Sequence, residues 1–124
     1  MSKYVDGFVL PIKRDQLDRY EEIASGAGKI WMDHGALAYM ECVGDDLQVE
    51  EMTPFPSMAK ASSEETVIFS WIVFKSKEHR DEVNEAVMAD PRMEALMPED
   101  SSEPFDYKRM AYGGFRTLVD FGDV

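Results

Sequence analysis

His34, Glu41, Asp6 and Tyr112 are the side chains whose types and neighbours suit proton chemistry in this chain. Glu41 lies in the mostly apolar run Ala36–Val43, where alternation places Leu37, Tyr39, Glu41 and Val43 on one face of a strand. A carboxylate next to an imidazole in a partly dry cavity forms a general acid–base pair, with His34 supplying the imidazole. The competing assignment is structural. His34 ends a helical pattern, where the helix dipole favours an imidazolium, and Glu41 then meets an arginine such as Arg109. Asp6 is a short acid inside a strand-forming stretch, an unusual place for one. It is either a site acid or one end of a salt bridge across a dimer. Tyr112 is a further candidate proton shuttle. Tyr4, Phe8, Tyr39, Ser70, Trp71 and Arg109 are expected to line the pocket that these groups serve.

Other chemistries have thinner support. Cys42 is the one cysteine, which excludes an intrachain disulfide. Its parity is opposite to that of Glu41 and no cation is near in sequence, so it reads as a small packed hydrophobe rather than an activated nucleophile. Two histidines 45 positions apart make no metal-ligand pattern, and no metal or cofactor is expected. Gly26-Ala-Gly28 lies in mid-helix and lacks the preceding strand of a phosphate loop. The nine methionines suit irregular core gaps. A net charge of −12, from 25 acidic and 13 basic residues, argues against affinity for nucleic acid or anionic lipid, because such binding requires cations to displace counterions from phosphates. The longest strongly apolar stretch, Thr66–Phe74, is about half the length of a membrane-spanning helix. No apolar leader is visible at the N-terminus. The expectation is a cytoplasmic protein with residues 1–124 forming a single domain.

The elements that must position these side chains alternate in type. Tyr4–Leu10 reads as a strand closed by Pro11. Asp15 is placed to cap a helix carrying Leu17, Tyr20, Ile23, Ala24, Ala27, Ile30 and Trp31 on one face. Within it, Gly26 and Gly28 weaken the helix but allow it to sit close to a sheet. Gly35 is a natural stop, and Ala36–Val43 is the second strand. Gly44–Glu65 lacks periodicity; Leu47–Met52 is its candidate minor strand, and the segment's length and prolines suit a lid. Thr66–Phe74 is apolar on both faces, as in a central strand. Ser76 caps a second helix with Val83, Ala86 and Val87 inward, and Pro91 opens a short third one. A mobile segment is expected over Pro98–Lys108. Arg109–Phe121 is the last strand, with Gly113-Gly114 marking a bulge or a close approach.

The order β-α-β, long connection, β-α-β gives an α+β, ferredoxin-like βαββαβ fold, a four-stranded antiparallel sheet with helices on one face. If Val5, Gly7 and Val9 turn towards the helices, then Tyr4, Asp6 and Phe8 turn away and an aromatic sheet face is left uncovered. Such a face seldom stays exposed on a monomer. A homodimer packed sheet to sheet, with a pocket between the sheets, is the economical arrangement.

The blocks Tyr4-Val-Asp-Gly-Phe-Val-Leu-Pro11, His34-Gly-Ala-Leu-Ala-Tyr-Met-Glu-Cys-Val43, Phe69-Ser-Trp-Ile-Val-Phe-Lys-Ser-Lys-Glu-His-Arg80 and Arg109-Met-Ala-Tyr-Gly-Gly-Phe115 resemble the YbaA-like family. This is a bacterial family classed as a domain of unknown function, and the resemblance runs nearly end to end. It implies the dimeric α+β barrel superfamily and carries no established catalytic residue. Haem-degrading members of that superfamily use an Asn, a Trp and a His. Here Trp71 and His79 are present, but Asn84, the only asparagine, falls in the second helix instead of the first strand, so the triad is not reproduced. An RNA-related label borne by some relatives finds no support in the acidic balance. The functional expectation is a dimer binding a small molecule without a recognisable reaction signature. The alternative is a cofactor-independent monooxygenase or isomerase acting on a small aromatic or carbonyl compound.

Overall fold

The computed structural model describes residues 2–97, 104 and 106–122. Strand β1 (Tyr4–Lys13) leads through a 3-10 turn into helix α1 (Leu17–Asp33) and then strand β2 (Ala38–Val43). A short helix α2 (Phe55–Ala59) lies in the long connection to strand β3 (Glu65–Phe74). Helices α3 (Lys77–Ala89) and α4 (Pro91–Leu96) follow, and strand β4 (Ala111–Arg116) completes the sheet. The strand order is β2-β3-β1-β4 and every neighbouring pair is antiparallel, the ferredoxin-like arrangement expected from the element order.

Local sequence explains most of these boundaries. α1 buries Tyr20, Ile23, Ala24, Ala27, Gly28 and Ile30, a stripe at three- and four-residue steps facing the sheet. Gly35 takes φ of 108°, and its N–H donates to the Met32 carbonyl as the helix ends. Ser76 Oγ accepts the His79 N–H at the start of α3, and Asp90 accepts the Arg92 N–H at the start of α4. Asp15, by contrast, caps nothing. Residues Arg14–Gln16 form the 3-10 turn, and α1 starts after Gln16 without a side-chain cap. The candidate strand at Leu47–Met52 is irregular backbone, and β4 stops at Arg116, well short of Phe121. No bulge interrupts Gly113-Gly114: the register continues as Gly7 opposite Gly113 and Asp6 opposite Gly114. Of the expected mobile segment, residues 98–103 and 105 lie outside the described residues, and Tyr107–Arg109 forms a 3-10 turn.

The facing of β1 is the opposite of that expected. Tyr4, Asp6, Phe8, Leu10 and Ile12 turn towards the helices, with Asp6, Leu10 and Ile12 each 1% exposed. The strand does not end at Pro11. It runs two residues further and pairs with β3 as far as Lys13, at a point where β4 no longer lies alongside. One side of β1 is therefore a local edge there, and a missing N–H costs no ladder bond. Ending the strand early hides Ile12. With it included, the even-numbered face is plainly the more apolar one. Alternation then places Ser70, Ile72 and Phe74 of β3, Tyr39 and Glu41 of β2, and Tyr112 of β4 on the same side as Asp6.

The other sheet face is partly roofed by the chain itself. α2 packs across β1 and β3, with the Phe55 and Phe69 ring centroids 6.1 Å apart, and Pro11 and Val67 beneath it are buried. Beyond α2 the face remains apolar and open. Met40 is 48% exposed, Phe69 46% and Phe115 61%.

Candidate functional site

A cavity of about 570 Å³ lies between the sheet and its helical cover. Phe8, Tyr39, Ser70 and Ile72 form its sheet side, Ala27 and Trp31 of α1 and Asn84 of α3 its helical side, and Met88, Met93, Met97 and Met110 much of the remaining wall. Met88 and Tyr112, more than half exposed, mark where it opens to solvent. Two polar clusters are set into this apolar lining.

The first surrounds Asp6. Its carboxylate accepts from Arg80 Nη1 at 2.6 Å and from Asn84 Nδ2 at 3.3 Å. The Asn84 amide oxygen accepts the Trp31 indole N–H at 2.9 Å, and Arg80 Nη1 also donates to the Tyr112 hydroxyl at 3.1 Å. Arg80 lies 4.9 Å over the Tyr4 ring, above Gly114, where a Cβ would collide with both. Burial of Arg80 works against its charge, but hydrogen bonds to Asp81 and Asp6 and the charge of Asp6 outweigh that and raise its pKa further. A short acid is tolerated in the middle of a strand because helix α3 supplies the matching cation and amide one turn apart.

The second cluster surrounds Glu41. Tyr20 donates to Oε1 and Tyr39 to Oε2, each at 2.7 Å. Burial, and then the adjacent Glu41 charge, push both phenols well above their ordinary pKa, so both remain protonated donors. Among the described residues Glu41 forms no salt bridge. On the far side of this cluster an open groove of about 640 Å³ runs between α1 and β2 past Lys29 and Cys42, so Tyr20, Tyr39 and Glu41 form the partition between groove and cavity.

The sequence-derived candidates therefore divide. Asp6, Glu41 and Tyr112 converge on the cavity with Phe8, Tyr39 and Ser70, on the helical side of the sheet and within one protomer. Trp71 borders the cavity from β3 while its ring meets Phe69 at 5.2 Å on the opposite face. His34 lies elsewhere: its Nε2 is 2.8 Å from Asp90 Oδ2, tying the end of α1 to the α3–α4 junction. It is no partner of Glu41. Arg109 does not meet Glu41 either; it grips Glu65 through both terminal nitrogens, at 2.7 and 2.9 Å. Tyr4 serves as the ring beneath Arg80. His79 accepts the Lys75 N–H on Nδ1 and meets Phe74 edge-on, and it is not among the residues lining the cavity that Trp71 and Asn84 border.

Arg80, Asn84, Tyr20 and Trp31 were not singled out by sequence reasoning as members of the site. Arg80 and Asn84 are spaced as i and i+4 with Val83 and Val87, so a polar pair on the core face of α3 was the available signal. Among the described residues no group of three or more His, Cys, Asp or Glu side chains is placed to hold a metal ion.

Comparison with known proteins places the chain. It is 44% identical over 118 residues to an uncharacterized protein, YbaA, of Escherichia coli K12, covering 95% of this chain and 98% of that one. In structure it is similar to an uncharacterized NIPSNAP domain protein from Burkholderia xenovorans, with a TM-score of 0.58 at 13% identity over 97% of this chain and 99% of that one. A nipsnap family protein with unknown function from Agrobacterium tumefaciens C58 gives the same TM-score at 17% identity, over 93% and 87% of the two chains. Identities this low speak for the fold alone. The family model described as "Protein of unknown function (DUF1428)" matches residues 3–107. With that match and the near full-length likeness to YbaA, the chain belongs to the DUF1428 family, in agreement with the YbaA-like resemblance of its sequence blocks.

Proposed function

We propose that the protein binds a small, largely apolar molecule in the cavity between its sheet and helices, and does so as a cytoplasmic homodimer. The observation that carries this reading is the lining itself: aromatic and thioether side chains around a few fixed polar groups, in a volume within the range of about 300–1,000 Å³ typical of small-molecule sites. The cavity belongs to one chain and needs no partner to enclose it. Dimerisation has a separate basis in Met40, Phe69 and Phe115, which stay exposed on the sheet face that α2 leaves open. The free thiol of Cys42 suits a reducing compartment.

A second reading, an isomerase or cofactor-independent monooxygenase, is favoured by Glu41. A carboxylate with no counter-cation among the described residues, at the wall of an apolar cavity, is placed to take a proton from a bound carbon acid. Binding is the part common to both readings, and native mass spectrometry of protein isolated from its host tests it. A retained small molecule is expected on the native chain and absent from Ser70→Phe, whose ring would fill the cavity floor. Native protein that carries no added mass, and whose melting temperature no member of a broad set of small apolar compounds raises, overturns the reading.

A further inference from the structure

The cavity has a sign. Two carboxylates, Asp6 and Glu41, are among its lining residues, and among the described residues no lysine, arginine or histidine joins them. Asp6 is already answered by Arg80 Nη1 at 2.6 Å. Glu41 is not: its two partners are neutral phenols, and no described cation lies within salt-bridge distance. Both phenol protons point at the carboxylate, one to each oxygen. A carboxylate offers about four lone-pair sites, so acceptor capacity remains on Glu41 beyond the two phenol hydrogen bonds. A ligand reaching this wall is therefore asked to donate, and a negatively charged one would be repelled.

The rest of the lining favours the same kind of guest. The Trp31 and Tyr39 rings stand 6.0 Å apart at an interplanar angle of 30°, with Phe8 and Tyr112 paired at 4.9 Å across the cavity. Aromatic faces carry negative electrostatic potential and attract cations, and ammonium groups are commonly held between such rings and a carboxylate. A net charge of −12 raises the local concentration of cations around the whole molecule.

Resting on the reading of the cavity as a ligand site, we propose that its occupant is an organic cation, an ammonium group on an apolar body, with the ammonium at Glu41 and the body among Trp31, Tyr39, Phe8 and the methionines. Glu41 is then the residue that sets ligand charge, and the two tyrosines hold it in place. Glu41→Gln retains an acceptor oxygen at nearly the same shape and removes the charge.

Three probes of one shape separate the possibilities: 1-naphthylmethylammonium, 1-naphthylmethanol and 1-naphthoate, titrated calorimetrically into the full chain at neutral pH. The cation is expected to bind at least about tenfold more tightly than the anion, with the alcohol between them. In Glu41→Gln, checked for folding by near-ultraviolet circular dichroism, the cation should lose about fivefold or more while the alcohol changes less than about twofold. An anion that binds as tightly as the cation overturns this assignment and leaves the cavity a ligand site of other specificity. Undiminished cation preference in Glu41→Gln overturns the role of Glu41. Failure of all three probes to bind at millimolar concentration overturns this assignment too, while the ligand site as such stands or falls with the native mass and the melting-temperature survey. The native comparison decides the charge preference whether or not the variant folds.

Discussion

Glu65 shows how much a single side chain here depends on its partner. It is 8% exposed at the start of β3, accepts both terminal nitrogens of Arg109, and receives the Ser62 N–H at 2.8 Å. The Arg109 hydrogen bonds, helped by Ser62 and the guanidinium charge, outweigh burial and lower its pKa from 4.5 to about 2. A carboxyl whose folded pKa is depressed contributes stability that is fully present above its unfolded value and is lost as pH falls through the folded one. The window here runs from about 4.5 down to about 2. In urea melts Glu65→Gln is expected to be less stable than the native chain at pH 7, with the gap closing as pH falls across that window. A gap that stays constant from pH 7 to pH 2 would show that the ion pair contributes nothing that titrates. Residue types announced that Arg109 needs an acid. They did not say which one, because Glu41 and Glu65 are both acids in strands and only the register brings Glu65 into reach.

Helix α1 lies close to the sheet because Gly28 has no side chain. A Cβ there would meet the Tyr39 ring at 2.7 Å, and the same ring holds the hydroxyl that donates to Glu41. Helix propensity alone favours alanine over glycine by about 1 kcal/mol. Overpacking against an aromatic ring costs about 1–3 kcal/mol, so Gly28→Ala should leave the protein no more stable and destabilise it by up to about 2 kcal/mol, as thermal and urea melts would show. Gly26→Ala is the useful contrast. Its Cβ would meet the Leu96 methyl at 2.7 Å, but that is the end of a flexible side chain on the six-residue helix α4, and it can swing aside. A Gly28→Ala protein more stable than both native and Gly26→Ala would disprove the close approach. The sequence suggests both glycines as places where α1 could sit close to the sheet, and this is so for Gly28 but not for Gly26, which faces Leu96 of α4. That one neighbour is the sheet and the other a helix depended on how the α3–α4 pair folds back.

For the molecule as a whole, the unresolved surface is the sheet face beyond α2. Phe69 is 46% exposed and Phe115 61%, Phe55 and Met58 of α2 extend the same patch, and Leu118, Val119 and Phe121 after β4 are exposed by 72–94%. A second copy packed on this face would bury Met40, Phe69 and Phe115 together. Phe69→Glu combined with Phe115→Glu should convert a dimer to a monomer in sedimentation velocity at micromolar concentration, without changing ligand binding, because neither residue lines the cavity. Native protein that sediments as a monomer would refute the pairing. The sequence pointed to one uncovered apolar face, and one remains. Along β1 it is the odd-numbered face rather than the even-numbered one, and α2 covers part of it.

The amino-acid order suffices for the four sheet strands, the helices that cover them, the βαββαβ topology and the family, because periodicity and right-handed crossovers are local or nearly local constraints that few alternatives satisfy, but not for the aperiodic connection after β2, where a helix stands in place of the expected minor strand. It also sufficed to choose acids and aromatics as the interesting side chains. The direction in which β1 faces, the partner of each charge and the place of the cavity followed from long-range packing. A shift of one residue in alternation exchanges the two faces of a strand, and the preference between faces is settled by Ile12, beyond Pro11, and by Arg80 and Asn84 reaching Asp6 from a helix more than seventy positions away.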